Sequence, residues 1–197
     1  VSESMRLKQA AGTFTLNHWI KVLFDPSSLS VFYKPFLNSL VTSLGACLVA
    51  LVFGGVFSWF ITRTNIRWKK VLSSLFIFPY IMPSWTLALA WYNVFKNSVV
   101  GGVPGTFQAL TGIEPPNWFA YGAFPIALVT GLHYAPFAYI MIGGVLRNMD
   151  ANLEEAAMML KTKRNRIVRK ITIPMILPAV LSTFLLVFSS AMSSFAV

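Results

Sequence analysis

Four uncharged passages, 35–62, 71–95, 115–146 and 171–197, take up most of the chain. The hydrocarbon core of a bilayer is about 30 Å thick and takes roughly 20 apolar residues of helix. Each passage is therefore long enough to cross one. Ten-residue segments of alternating hydrophobicity, the mark of a membrane barrel, are absent. Only 11% of residues are charged against 56% hydrophobic, and the charges are gathered into short runs between the long neutral passages. A soluble domain of this size distributes its charge over its whole surface. The expected fold is all-α: a polytopic integral membrane helical bundle with spans at about 35–62, 71–95, 119–146 and 171–197. An outer-side amphipathic or interfacial segment, 1–34, precedes it.

The net charge of +10 invites a nucleic-acid reading, but the cations are not spread over a soluble face. Arg63, Arg67, Lys69 and Lys70 fill the gap after the first passage. Arg147, Lys161, Lys163, Arg164, Arg166, Arg169 and Lys170 flank or fill the gap after the third. Cytoplasmic loops carry the excess of Lys and Arg, so both gaps are expected inside the cell. The loop 96–116, with only Lys96 and Glu114 charged, then faces out, and so does the N-terminal segment. No anchor-length apolar run precedes residue 35, and the last apolar run is still in progress at Val197. The expectation is a fragment, with at least one span before Val1 and one after Val197.

In chain order, Leu16, Trp19, Ile20, Leu23 and Phe24 share one helical face, closed by Asp25-Pro26-Ser27-Ser28, which suggests an interfacial helix. His18 beside it reads as a solvated side chain. The first span carries Ser39, Thr42, Ser43, Gly45, Ala46, Gly54 and Gly55, small residues that let helices approach closely. Cys47, the sole cysteine, falls among them as one more small packing residue. The second span has two prolines four residues apart, Pro79 and Pro83. Each removes an N–H, so a carbonyl within the membrane is left to find another partner. Broken helices of this kind line cavities, which makes Tyr80 and Ser84 candidates for a translocation path; a plain kink is the alternative. The Gly-rich loop from Asn97 to Thr106 suits a re-entrant turn, a docking surface or a simple connection. His133 is an ionisable residue at mid-span depth and thus a third path candidate. Its competing role is that of a neutral side chain hydrogen-bonded to a neighbouring helix.

Dense charge and sequence specificity come together in 152–178, NLEEAAMMLKTKRNRIVRKITIPMILP. Leu153, Ala156, Ala157 and Leu160 lie at i, i+3, i+4 and i+7, one face of a short helix. Asn152 followed three residues later by Glu155 satisfies a capping-box start. Read this way, Glu155 is a helix cap. The same stretch resembles the EAA loop of membrane-spanning subunits of binding-protein-dependent ATP-binding-cassette importers: Glu155-Ala156-Ala157, then Lys161 at the glycine position, then Ile171-Thr172-Ile173-Pro174. Lys161 and Ile173 depart from the pattern's glycine and leucine. The first exchange removes the residue best suited to a left-handed helix stop. The segment Pro79-Tyr80-Ile81-Met82-Pro83 and the Ala88-Leu89-Ala90-Trp91 that follows it resemble the iron(III), polyamine and phosphonate subgroup of those permeases.

That resemblance implies a type I importer permease whose loop 148–170 is a coupling loop. Its contact with the ATPase would involve Glu154, Glu155, Ala156, Ala157, Lys161, Ile171 and Pro174. The implied partners are ATP-binding-cassette ATPase subunits, a second permease half, an external substrate-binding protein and membrane lipid, in a bacterial inner membrane. Read directly, the sequence has no G-x-x-x-x-G-K-[ST] phosphate loop, no metal-ligand cluster and no carboxylate inside a span. Catalytic and metal residues are accordingly set at none, no cofactor is expected in the chain itself, and ATP is assigned to the partner subunit. A channel or ion-coupled carrier without an ATPase stays open as the alternative. The cargo stays open among iron(III), polyamine, phosphonate and sulfate-like solutes, with iron(III) favoured by resemblance alone.

Overall fold

A computed structural model describes residues 23–149, 157, 159 and 161–194, in two compact units, Val1–Ser39 and Leu40–Val197. All regular structure among the described residues is helical. In the first unit the Asp25 carboxylate accepts the Ser27 N–H at 3.2 Å, forming the turn that the Asp-Pro-Ser-Ser run predicts. The Tyr33 hydroxyl donates to the Leu23 carbonyl at 3.2 Å. A π turn, Leu29–Tyr33, leads into α1, Lys34–Arg63.

The remaining helices are α2 (Lys69–Ile81), α3 (Ser84–Phe95), the short α4 (Ser98–Gly101), α5 (Thr106–Thr111) and α6 (Asn117–Ala120), then α7 (Ala123–Asn148), α8 (Arg164–Ile167) and α9 (Ile173–Met192). Three stretches, Leu29–Arg63, Asn117–Asn148 and Asn165–Met192, are each long and apolar enough to cross a membrane. The passage 71–95, read from sequence as one span, consists of two helices bent by 95° that are together long and apolar enough to cross a membrane. Met82 and Pro83 between them are both extended, with ψ of 143° and 138°. Proline drives its predecessor out of the helical region, so α2 stops at the residue before Met82. The last span also starts earlier than its apolar run: the basic lead-in is already helical from Arg164 and joins α9 through a π turn, Val168–Thr172.

Burial in α1 inverts the rule for soluble helices. Ser43, Ala46, Cys47, Ala50, Gly54 and Ser58 are buried, while Leu48, Val52, Phe53, Val56 and Phe60 are at least half exposed. Where the surroundings are as apolar as Leu, helices gain little by hiding large side chains from solvent; they associate through close backbone approach. A Cβ added to Gly54 would meet the Ala135 carbonyl oxygen at 2.4 Å, and one added to Gly131 would meet Val49 Cβ at 2.5 Å. Thus α1 and α7 lie nearly backbone to backbone. Helix α7 is the hub of the second unit, since α2, α3, α6 and α9 also pack on it. Cys47, Ala50 and Val187 form a buried cluster with Tyr134, Phe184 and Phe188 around it, tying α9 to α1 and α7.

The two ends of the bundle differ in chemistry. At one end Arg63 closes α1, Lys69 and Lys70 open α2, Arg147 closes α7, and Arg166, Arg169 and Lys170 lie at the start of the last span. At the other end the loop after α3 folds over three short helices. Buried Asn97 pins it: Nδ2 donates to the Pro115 carbonyl at 2.9 Å and to Asn117 Oδ1 at 2.7 Å, and Oδ1 accepts the Val100 N–H at 2.8 Å. Trp91 Nε1 donates to the Phe119 carbonyl at 3.1 Å, with Phe95, Phe107 and Phe124 completing an aromatic floor. The Gly-rich loop is therefore an ordered cap.

Candidate functional site

The sequence candidates fall in two places. The first is the break between α2 and α3. Pro83 has no N–H, so the carbonyl four residues earlier, that of Pro79, loses its helical donor. His133 from α7 supplies a replacement: its Nδ1 lies 3.1 Å from the Pro79 oxygen. A carbonyl can only accept, so Nδ1 is the donor in this contact. Tyr80 stacks on the His133 ring, with centroids 5.8 Å apart and planes at 30°, and Tyr134 meets the same ring edge-on at 4.9 Å. Tyr80 and His133 thus form one aromatic pair at the break. Ser84, the first residue of α3, stands on the far side of it.

Nearly two helical turns further toward the basic end, the Tyr139 hydroxyl donates to Ser73 Oγ at 2.8 Å. Its ring meets Phe57 and Phe76 edge-on, and those two stack at 4.0 Å. This cluster holds α1, α2 and α7 together below the break. The α2 side of the break is therefore held twice: by a donated hydrogen bond at Pro79 and by aromatic packing at Phe76. Pro79 and Tyr139 were not singled out from sequence as working partners. The four-residue proline spacing was the signal for the first, because it names the orphaned carbonyl in advance.

The second place is the turn after the candidate coupling helix. Glu154, Glu155 and Ala156 lie outside the described residues, as do Asn152, Leu153 and Leu160; His18 and the interfacial helix face of 16–22 also fall there. Ala157 is helical and half-buried, and Met159 is 87% exposed. Lys161 has φ of 55°, the left-handed region. The Thr162 N–H donates to the Ala157 carbonyl at 3.2 Å. A residue in that region followed by this six-residue bond is the Schellman arrangement that stops a helix, usually on glycine. Lys161 therefore adopts at the motif's glycine position the conformation that glycine there would supply. Ile171 is half-buried within the π turn, and Pro174 follows in the first turn of α9. Just before that proline the ladder widens, with the Ile173 N–H donating to the Val168 carbonyl. Widening relieves the clash a proline ring makes with the carbonyl four residues back.

Between the turn and the last span a cleft of 640 Å³ is lined by Lys161, Thr162, Lys163, Asn165, Arg166, Arg169 and Lys170. No group of three or more His, Cys, Asp or Glu comes together among the described residues.

Residues 50–197 match the family model described as binding-protein-dependent transport system inner membrane component. The chain is 28% identical over 158 residues to the ferric transport system permease protein FbpB of Actinobacillus pleuropneumoniae, which covers 80% of this chain and 23% of that protein. It is 26% identical over 182 residues to a probable sulfate transport system permease protein of Prototheca wickerhamii, covering 91% and 67% respectively. It is also similar, at 23% identity over 188 residues, to the galactooligosaccharides transport system permease protein GanP of Bacillus subtilis, covering 94% and 43%. The chain spans about a quarter of the length of the ferric relatives it matches.

Proposed function

This chain belongs to the family of binding-protein-dependent transport system inner membrane components, and from that membership we propose that it builds part of the translocation path of an ATP-driven solute importer. Its partners on this reading are ATP-binding-cassette ATPase subunits, a second permease half and an external substrate-binding protein. The ATP is bound and hydrolysed in the partner. The observation that carries the coupling role is the turn at Lys161. A left-handed stop at Lys161, seven residues before the π turn that opens at Val168 and thirteen before Pro174, sets the preceding helical residues close to the start of a span. Seated in a cleft of the ATPase, the segment holding Glu154, Glu155, Ala156 and Ala157 passes the closing motion through Ile171 and Pro174 into α9.

The orientation follows from charge. Cations at the ends of α1 and α7 complement the helix dipole, but Lys69, Lys70 and Arg166 lie at N-terminal helix ends, where the dipole opposes them. Helix electrostatics alone would not collect them there, whereas the positive-inside rule does. The basic end therefore faces the cytoplasm of a bacterial inner membrane, the Asn97-pinned cap faces outward toward the binding protein, and the N-terminal segment starts outside. The 95° break at Pro83, with Tyr80, Ser84 and His133 around it, faces the path. The cargo named for the ferric relatives, iron(III), is the first to test. The sulfate and oligosaccharide relatives share the same scaffold.

The deciding experiment purifies the full-length protein gently from its own membranes and asks whether an ATPase accompanies it, with and without Glu155→Arg. Reversal of a charge at the centre of a contact weakens it by roughly 2 kcal/mol or more, so co-purification is expected for the wild type and lost in the variant. Well-folded protein with no ATPase in either form would replace this reading with a channel or ion-coupled carrier, and would leave Glu155 as a helix cap.

A further inference from the structure

The basic cleft beside the last span continues into an apolar ridge. Arg169 lies on its wall, and at successive four-residue steps below it come Ile173, Leu177, Leu181 and Leu185, exposed by 46, 48, 55 and 65%. Side chains four apart are neighbours on a helix surface, and their row forms a ridge inclined about 26° to the axis. The opposite line, Ala179, Thr183 and Val187, is the buried one. Five cations, Lys161, Lys163, Arg166, Arg169 and Lys170, line the cleft together with the Thr162 hydroxyl and the Asn165 amide, with no carboxylate among the described residues that line it. Arg166 sits in the first turn of the last span, where the dipole adds to the pull on an anion.

We propose that this cleft and ridge together form a binding site for an anionic phospholipid, with the phosphate headgroup among the cations and an acyl chain along Ile173 to Leu185. The dimensions agree: the twelve residue steps from Ile173 to Leu185 rise about 18 Å, close to the roughly 15 Å of one leaflet's hydrocarbon. A free phosphate or nucleotide accounts for the cations but leaves the ridge without a role. An acidic protein segment accounts for the cleft but not for an aliphatic line one leaflet deep. The site does not depend on the transport reading. It belongs equally to a carrier with no ATPase.

The test uses the full-length protein, delipidated in detergent, with binding read by native mass spectrometry. The probes are dioleoylphosphatidylglycerol, dioleoylphosphatidylcholine with the same chains, and glycerophosphoglycerol, the headgroup without chains. The wild type is expected to hold the anionic lipid at least roughly ten-fold tighter than the zwitterionic one, with the chainless headgroup failing to compete. Replacing Arg166, Arg169 and Lys170 by Gln removes three cations at about one surface charge's attraction each, a loss of roughly a hundred-fold. The double variant Arg166→Lys with Arg169→Lys keeps the charge and should keep the preference. Equal binding of the two lipids overturns the proposal. So does competition by the headgroup alone, which would make the cleft a site for soluble anions. Undiminished binding in a natively eluting Gln variant places the lipid elsewhere and overturns it too, as does loss of the lipid when the partner subunits assemble, which makes the surface an interface. Should the Gln variant fail to fold, the wild-type competition and the Lys variant decide alone.

Discussion

Lys161 shows how one backbone angle can substitute for a residue type. An L-residue in the left-handed region costs about 1–2 kcal/mol relative to the right-handed one. The turn accepts this because the Thr162-to-Ala157 bond and the following basic helix are built around it. Lys161→Gly and Lys161→Asn both reach φ near 55° readily, and they are expected to retain any ATPase that co-purifies with the wild type. Lys161→Val, whose branched Cβ is poorest in that region, is expected to weaken the association by about 1–2 kcal/mol. Titrating the ATPase against each purified variant measures the difference. The sequence identified this position as a departure from the motif, and the structure shows that the departure is in chemistry and not in conformation.

At the scale of elements, the break between α2 and α3 joins two features that the sequence presented separately. The prolines announced an orphaned carbonyl, and His133 was an ionisable side chain at mid-span. The structure makes each the answer to the other, because the His133 Nδ1 donates to the Pro79 oxygen. An unsatisfied buried carbonyl costs about 1–3 kcal/mol, so His133→Leu should lower stability by that amount. Pro83→Ala restores an N–H to the residue four after Pro79. In that background the His133→Leu penalty should shrink by at least about 1 kcal/mol. A double-mutant cycle on thermal unfolding of the solubilised protein tests this: strictly additive penalties would show that the His133 bond is not what stabilises the break. Hydrogen bonding to a neighbouring helix was the competing sequence reading of His133. It is present, and it places the ring beside Tyr80 at the proposed path.

At the scale of the whole second unit, stability rests on backbone proximity. A side chain at Gly54 meets the Ala135 carbonyl oxygen at 2.4 Å and the Tyr139 N at 2.9 Å, groups of the hub helix that cannot move aside. Gly144, ten residues on from Tyr134 in that same helix, has nothing within 4 Å of an added Cβ. Gly54→Val should therefore separate α1 from α7 and cost about 2–3 kcal/mol or more, lowering the unfolding temperature of the purified protein. Gly144→Ala should leave it unchanged or slightly higher, since alanine favours helix over glycine by nearly 1 kcal/mol. Equal effects of the two would mean that the close α1–α7 contact is not what holds the unit together.

Composition and charge order were enough to determine an all-α membrane bundle and the segregation of cations between its spans, because twenty apolar residues and a basic flank have few other physical solutions. The EAA spacing and the proline pair were likewise legible, being local in the chain. Other features needed the tertiary structure. The 95° angle at Pro83 depends on where α7 and the short helices receive α3, and proline spacing alone does not set an angle. Asn97 carries no signal in sequence beyond being polar; it is buried only because Pro115, Asn117 and Val100 converge on it. The left-handed Lys161 contradicts residue preference, and only the structure shows it closed by the Thr162 N–H bond to the Ala157 carbonyl. Patterns repeated along one helix can be read from order alone, whereas partners brought together from distant segments exist only once the helices have packed.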